Sequence, residues 1–294
     1  MTTTPTRVRG LAALGALLAL AGCGTSTVVT REGSAPRTPY DGPLQVDRGS
    51  EDSADVMKRG GAAARALECD GAPYNAGGAD YVEADLYEVG DSAERALASF
   101  LDAEGPLYGL PAEGYRLERE DDGRALYSYD VDRRTKVAFV LAEDLRNYDD
   151  DTGWGVESWA QCDPAELPEA FTEQADIGVW TDAEGRRVPT TTVKSSQGAE
   201  HCDWQDITFI HWHEDDELVQ FVGAGAEAAG LAEMLRSRFE ASATLPASAR
   251  TTGYQRGGRE LWLTPEGDAA YLVSVDDAGD VERWPAAREP ILCA

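Results

Sequence analysis

The chain has 294 residues, 42% of them hydrophobic, enough for one or two packed domains. Its formal net charge of −28 at pH 7 argues against a nucleic-acid partner and against peripheral binding to anionic lipid, because like charges repel. Acidity of this kind could favour cationic ligands, but it mainly keeps an extracellular protein soluble.

Residues 1–10 carry Arg7 and Arg9 and no acid. An apolar run, Leu11 to Leu20, follows and ends in the small residues Ala21 and Gly22 before Cys23. A charged start, an apolar middle and a small-residue end make the layout of a secretory signal. The run is too short for a bilayer-spanning helix, which needs roughly 20 apolar residues. Leu20-Ala21-Gly22-Cys23 resembles the lipobox of bacterial lipoproteins. That resemblance implies cleavage before Cys23, a diacylglyceryl group on its thiol, further acylation such as palmitate, and attachment to the extracytoplasmic face of the cell membrane. Loss of residues 1–22 would remove two positive charges and leave −30. Arg7 and Arg9 are not adjacent, which favours general secretion over a twin-arginine route.

Residues 23–50 are rich in Ser, Thr, Gly, Pro and charge and read as a flexible tether spanning roughly 25–30 Å. A first unit is expected over 51–167. Residues 51–67, with Val56, Met57, Ala62 to Ala64, Ala66 and Leu67, read as a helix weakened by Gly60-Gly61. Tyr81–Val89 alternates like a strand, and Asp91-Ser92-Ala93-Glu94 opens a second helix with a good cap. Strands are predicted at 115–120, 124–130 and 136–142, with Asp121-Asp122-Gly123 as a hairpin turn. The segment 163–174, with Pro164 and Pro168, reads as a boundary.

A second unit is expected over 168–294. Strands are predicted at 206–212, 217–222, 259–264 and 269–275, with a helix over 226–241 carrying Leu231, Met234, Leu235 and Phe239.

The cysteines sharpen this division. Besides Cys23 there are four, Cys69, Cys162, Cys202 and Cys293, an even set that reads as disulfides in an exported chain, with three possible connectivities. Cys69 and Cys162 are 93 residues apart, Cys202 and Cys293 are 91. Between the members of each pair, landmarks fall in one order: Leu110-Pro111 and Leu245-Pro246, Gly114-Tyr115 and Gly253-Tyr254, Arg124 to Tyr127 and Arg259 to Trp262, Val156 to Trp159 and Val281 to Trp284. This self-similarity suggests an internal repeat. It predicts an α+β fold of two similar units, each an antiparallel sheet with one packed helix, each tied by its own bridge, Cys69–Cys162 and Cys202–Cys293, from first strand to last.

The sparse lysines (Lys58, Lys136, Lys194) and abundant Ala, Gly, Asp and Glu resemble proteins of GC-rich, actinobacterial-type genomes. Cys162-Asp-Pro-Ala-Glu166 and Glu200-His-Cys-Asp-Trp-Gln205 resemble sequences in actinobacterial cell-envelope lipoproteins of uncharacterised function, a likeness that implies no activity.

All three histidines, His201, His211 and His213, lie in one short stretch. His211 and His213 at alternate positions of a strand would share a face and could ligate zinc or copper, although no third ligand is set by spacing. Asp149-Asp150-Asp151 lacks the spacing of a calcium loop. There is no Gly-x-Ser-x-Gly, His-Glu-x-x-His or Ser-x-x-Lys, and no phosphate-cradling glycine loop. Trp154 and Trp180 flank loops and could line a cleft between the units. The expectation is therefore a monomeric, non-catalytic lipoprotein without a cofactor. It would touch the bilayer through Cys23 and bind an envelope protein or a small molecule. Metal or cation binding by the histidines, or an extracytoplasmic hydrolase with a site of scattered carboxylates, are the alternatives.

Overall fold

The structure, a computed structural model, describes residues 29–30, 35–49, 53–78, 89–146, 151–214 and 217–293. The apolar N-terminal stretch, Cys23, most of the strand expected at 81–89, and Asp149, Asp150, Asp215 and Asp216 lie outside the described residues.

The first unit contains β1 (Val29–Thr30), α1 (Val56–Ala66), β2 (Asn75–Gly78), α2 (Ala93–Ala103), α3 (Gly105–Tyr108), β3 (Tyr115–Asp121), β4 (Arg124–Val131), β5 (Arg134–Arg146) and β6 (Thr152–Gln161). They form a six-stranded sheet in the order β1-β3-β4-β5-β6-β2, antiparallel except where β1 runs beside β3. The Asp122-Gly123 turn has positive φ at both residues, as a tight two-residue hairpin requires. α2 starts at the cap expected from the sequence, and α1 is capped at Asp55, later than the Glu51 start expected. Asp55 accepts from the amides of Met57 and Lys58, and Ser92 from that of Arg95.

β5 explains the layering. Val137, Phe139 and Leu141 point into one core with Leu97, Phe100, Tyr115 and Trp159. Ala138 and Val140 point into another with Ala63, Leu126 and Ala160. A strand buried on both faces reads as a continuous apolar run. The sheet accordingly carries α2 on one face and α1 on the other, so both helices read in the sequence pack on it where one packed helix was expected. The segment expected as a tether is laid against this unit over residues 35–49: Leu44 is 4% exposed, the Arg37 amide bonds Arg133 O, and Arg119 donates to Gly42 O. Leu44, with Tyr40 and Val46 beside it, buries enough apolar surface to hold the segment in place.

A one-turn 3₁₀ helix at Pro164–Glu166 and α4 (Glu169–Gln174) lead to the second unit. This unit comprises β7 (Gly178–Val179), β8 (Val193–Gln197), β9 (Thr208–Glu214), β10 (Glu217–Val222), β11 (Arg250–Arg256), β12 (Arg259–Leu263), β13 (Ala269–Ser274) and β14 (Val281–Pro285). Two four-stranded antiparallel sheets, β10-β9-β8-β7 and β11-β12-β13-β14, enclose Trp180, Ile210, Phe221, Leu261, Leu272 and Trp284. Single bridges, Thr181 to Gln255 and Phe221 to Ala286, join the sheets at both edges.

The helix expected over 226–241 does not form. Turns, a single 3₁₀ turn at Ala232–Met234 and lone bridges at Leu235 and Glu240 replace it. Gly225 and Gly230 take positive φ, and the Leu235 and Glu240 backbones pair with Ala287 and Arg283, so tertiary pairing overrides the alanine-rich propensity. The two units are both antiparallel, but the first has helices on both faces of one sheet and the second packs two sheets together. Matching landmarks fall on the meanders β3–β6 and β11–β14. What precedes those meanders differs.

The fold is mixed α+β and closes two disulfides. Cys69 pairs with Cys162 at a Cα separation of 5.3 Å, and Cys202 with Cys293 at 6.2 Å. Neither links a first strand to a last as expected. Cys69 follows α1, and Cys202 ends a 3₁₀ turn after β8. Among the described residues no helix is long and apolar enough to cross a membrane.

Candidate functional site at the junction of the units

Alternation along β5 puts Lys136 on the α1 face, in register with Ala138 and Val140. Its Nζ is almost completely buried, donating to Glu68 O at 2.9 Å and to the Glu166 carboxylate. Glu166 also accepts from the Asp70 amide at 2.8 Å. Asp70 is drawn to Arg134, whose hydrogen bond holds its carboxyl below the usual range. Beside them, Asp163 serves as a clasp. One oxygen takes the Ala165 amide at 2.8 Å and the Thr190 amide and hydroxyl, each at 2.9 Å. The other takes the Thr191 amide at 3.2 Å. Cys162, Asp163 and Glu166 thus bind the end of β6 to α1 on one side and to the second unit on the other. This is the work of the Cys-Asp-Pro-Ala-Glu stretch.

Two grooves open at this junction, with Arg187 on the wall of both. The smaller, about 490 Å³, runs over Tyr74, Asp163, Glu166 and Thr191. The larger, about 720 Å³, lies where the edge strands β7 and β11 part beyond the Thr181–Gln255 bridge. Arg187 is half-buried and donates to Leu167 O and to the Thr172 hydroxyl at 2.9 Å. Both acceptors are neutral, and Arg187 forms no ion pair among the described residues. Burial lowers its pKa from the ordinary value. Arg256, exposed at the end of β11, lies against Gly178 where a side chain would collide with it. It too forms no ion pair among the described residues.

The histidines divide. His201 lies 3.1 Å from the Cys293 sulfur, beside the second disulfide, whose cysteines are committed to each other. His211 and His213 sit on β9 at alternate positions, His211 bonded to the Ser196 hydroxyl at 3.1 Å. Burial first, then Lys194 and His213, pushes the His211 imidazolium down to about 4. Among the described residues these two belong to no cluster of three ligand atoms. Glu118 has a raised pKa, from burial, but it lines neither groove; Ser128 and Arg116 engage it within the first sheet.

The tryptophans do not line a cleft. Trp180 is 2% exposed and donates to the Ser195 hydroxyl, and Trp154 packs on the α2 core. Sequence reasoning missed Arg187 and Arg256. Neither stands in a motif, and only the parting of β7 from β11 makes them neighbours of one groove.

Comparison of the chain with family models, with curated proteins and with solved structures finds no match.

Proposed function

We propose that the chain is an exported lipoprotein, anchored by lipid on Cys23 to the extracytoplasmic face of the membrane. Its folded part is a monomeric, non-catalytic binding module whose ligand sits at the junction of the units. The observation that carries the binding reading is the larger groove, lined by the pinned guanidinium of Arg187, which makes no ion pair among the described residues and feels Glu169 and Asp163 only at longer range. The order of residues 1–23 supports export and lipidation. Two disulfides suit an oxidising compartment, and two acyl chains hold a protein to a bilayer far better than one.

The test is fractionation of cells making the native chain or Cys23→Ala, with metabolic labelling by a fatty-acid analogue. The native chain should label and sediment with membranes, and Cys23→Ala should do neither. Equal sedimentation of both would refute the anchor. Affinity capture from envelope extract then asks whether a small molecule or protein copurifies; recovery of neither would refute the binding reading. Metal binding is the second reading. It is favoured by His211 and His213 standing at alternate positions of β9, on one face of the strand. Calorimetric titration with zinc and copper should show saturable heat if it is correct.

A further inference from the structure

Resting on the binding reading above, we infer that the larger groove takes a small ligand carrying both an anionic head group, carboxylate or phosphate, and an amine. Arg187 and Arg256 both line the groove. A guanidinium is a planar fork of donors that matches carboxylate and phosphate oxygens. Arg187 spends donors on Leu167 O and Thr172, which fix its orientation while leaving others free. Preorganisation of that kind reduces the ordering cost of binding. The absence of a side chain at Gly178 is what lets Arg256 lie across β7 toward the same space.

The acidic residues of the same groove decide the rest of the ligand. Glu169 and Glu173, on successive turns of α4, and Asp176 line the same groove; neither glutamate carboxylate makes a hydrogen bond or ion pair among the described residues, and Glu169 acts on Arg187 through charge alone. A bare polyanion reaching the arginines would meet their repulsion. A ligand with an ammonium group beside its anionic group finds lining groups of both signs. A peptide end or amino acid and an aminoalkyl phosphate share this chemistry, and the probes below separate them.

The experiment uses the purified full chain, nitrogen-15 labelled, and follows the arginine Nε–H signals and the Gly178 and Gly257 amides by NMR. The probes are alanyl-alanine, phosphoethanolamine, pyrophosphate and alanyl-alaninamide, which lacks the carboxylate. Saturable shifts at Arg187 Nε and the two glycine amides are expected with alanyl-alanine, phosphoethanolamine or both, and the responding probe identifies the source of the anionic group. Arg256→Gln, on an exposed side chain, should weaken that binding about tenfold, or about 1.4 kcal/mol, with the rest of the spectrum unchanged. Stronger response to pyrophosphate than to either zwitterion overturns the role of the amine. Response to the amide alone overturns the ligand class while leaving a binding groove. Silence with every probe overturns the class, and the capture experiment separately decides the binding reading.

Discussion

His211 illustrates how a residue conspicuous in the sequence acquires a physical role from its surroundings. Its imidazolium is disfavoured in the folded chain, with a pKa lowered from 6.5 to about 4 by burial and by Lys194 and His213. Above pH 6.5 both folded and unfolded chains hold it neutral, and it adds nothing to pH dependence. Between pH 6.5 and about 4 the unfolded chain takes a proton that the folded chain refuses, so stability falls as pH falls. Below about 4 both states are charged and the loss levels off. The full effect is at most about 3 kcal/mol, less to the extent that water reaches the ring. His213 is shifted in the same direction and adds to it. Urea midpoints measured from pH 7 to pH 5, above most carboxylate titration, should decline for the native chain. His211→Gln should flatten much of that decline. An unchanged slope would show that the ring is not desolvated as described.

Among the elements, α1 is held by the absence of side chains. Gly60 faces Ala76 and Ala160, where even a methyl group would lie 3.0 and 3.1 Å from theirs, so the helix sits close on β2 and β6. Gly61 is the kink, with φ 51° and ψ −123°, a backbone region essentially restricted to glycine. Gly61→Ala should cost about 1–3 kcal/mol in chemical denaturation. Gly71→Ala, with nothing within 4 Å of the added carbon, should change stability by less than about 0.5 kcal/mol. Equal effects from the two would discount the kink. The sequence marked Gly60-Gly61 as a weakness, and the structure makes it a point of close approach. Other elements were legible where local chemistry decides them: the Ser92 cap, the Asp122-Gly123 hairpin, and the strands β9, β10 and β13. The helix over 226–241 misled because its apolar spacing is helical while two glycines and the pairing of Leu235 and Glu240 with β14 residues and their neighbours determine the backbone. The candidate groove was illegible for a different reason. Arg187 and Arg256 are 69 residues apart by their numbering and meet only because two sheet edges diverge.

At the scale of the whole molecule, the two disulfides offer a comparison that separates chain entropy from native packing. They close loops of nearly equal length, with separations of 93 and 91 residues. The entropic model therefore gives both nearly the same stabilisation, about 4–5 kcal/mol. Their surroundings differ. Cys162 is fully buried, and its bridge holds the Asp70–Tyr74 wall of the smaller groove against Lys136 and Glu166. Cys293 lies at the end of the described chain, where Ile291 is already retained by two hydrogen bonds with the Gln220 side chain. Cys69→Ala/Cys162→Ala removes the buried Cys162 sulfur with its half-buried partner and leaves the Lys136–Glu166 pair beside a cavity, so a packing loss adds to the entropic one. Cys202→Ala/Cys293→Ala releases Cys293 while Gln220 continues to hold Ile291. The first double variant should accordingly lose more stability than the second in urea denaturation, by about 1–2 kcal/mol, and should show new protease cleavage in 67–74. The second should show cleavage confined to the segment after Ile291. Equal losses would mean that loop closure alone accounts for both bridges and that the junction does not depend on the first.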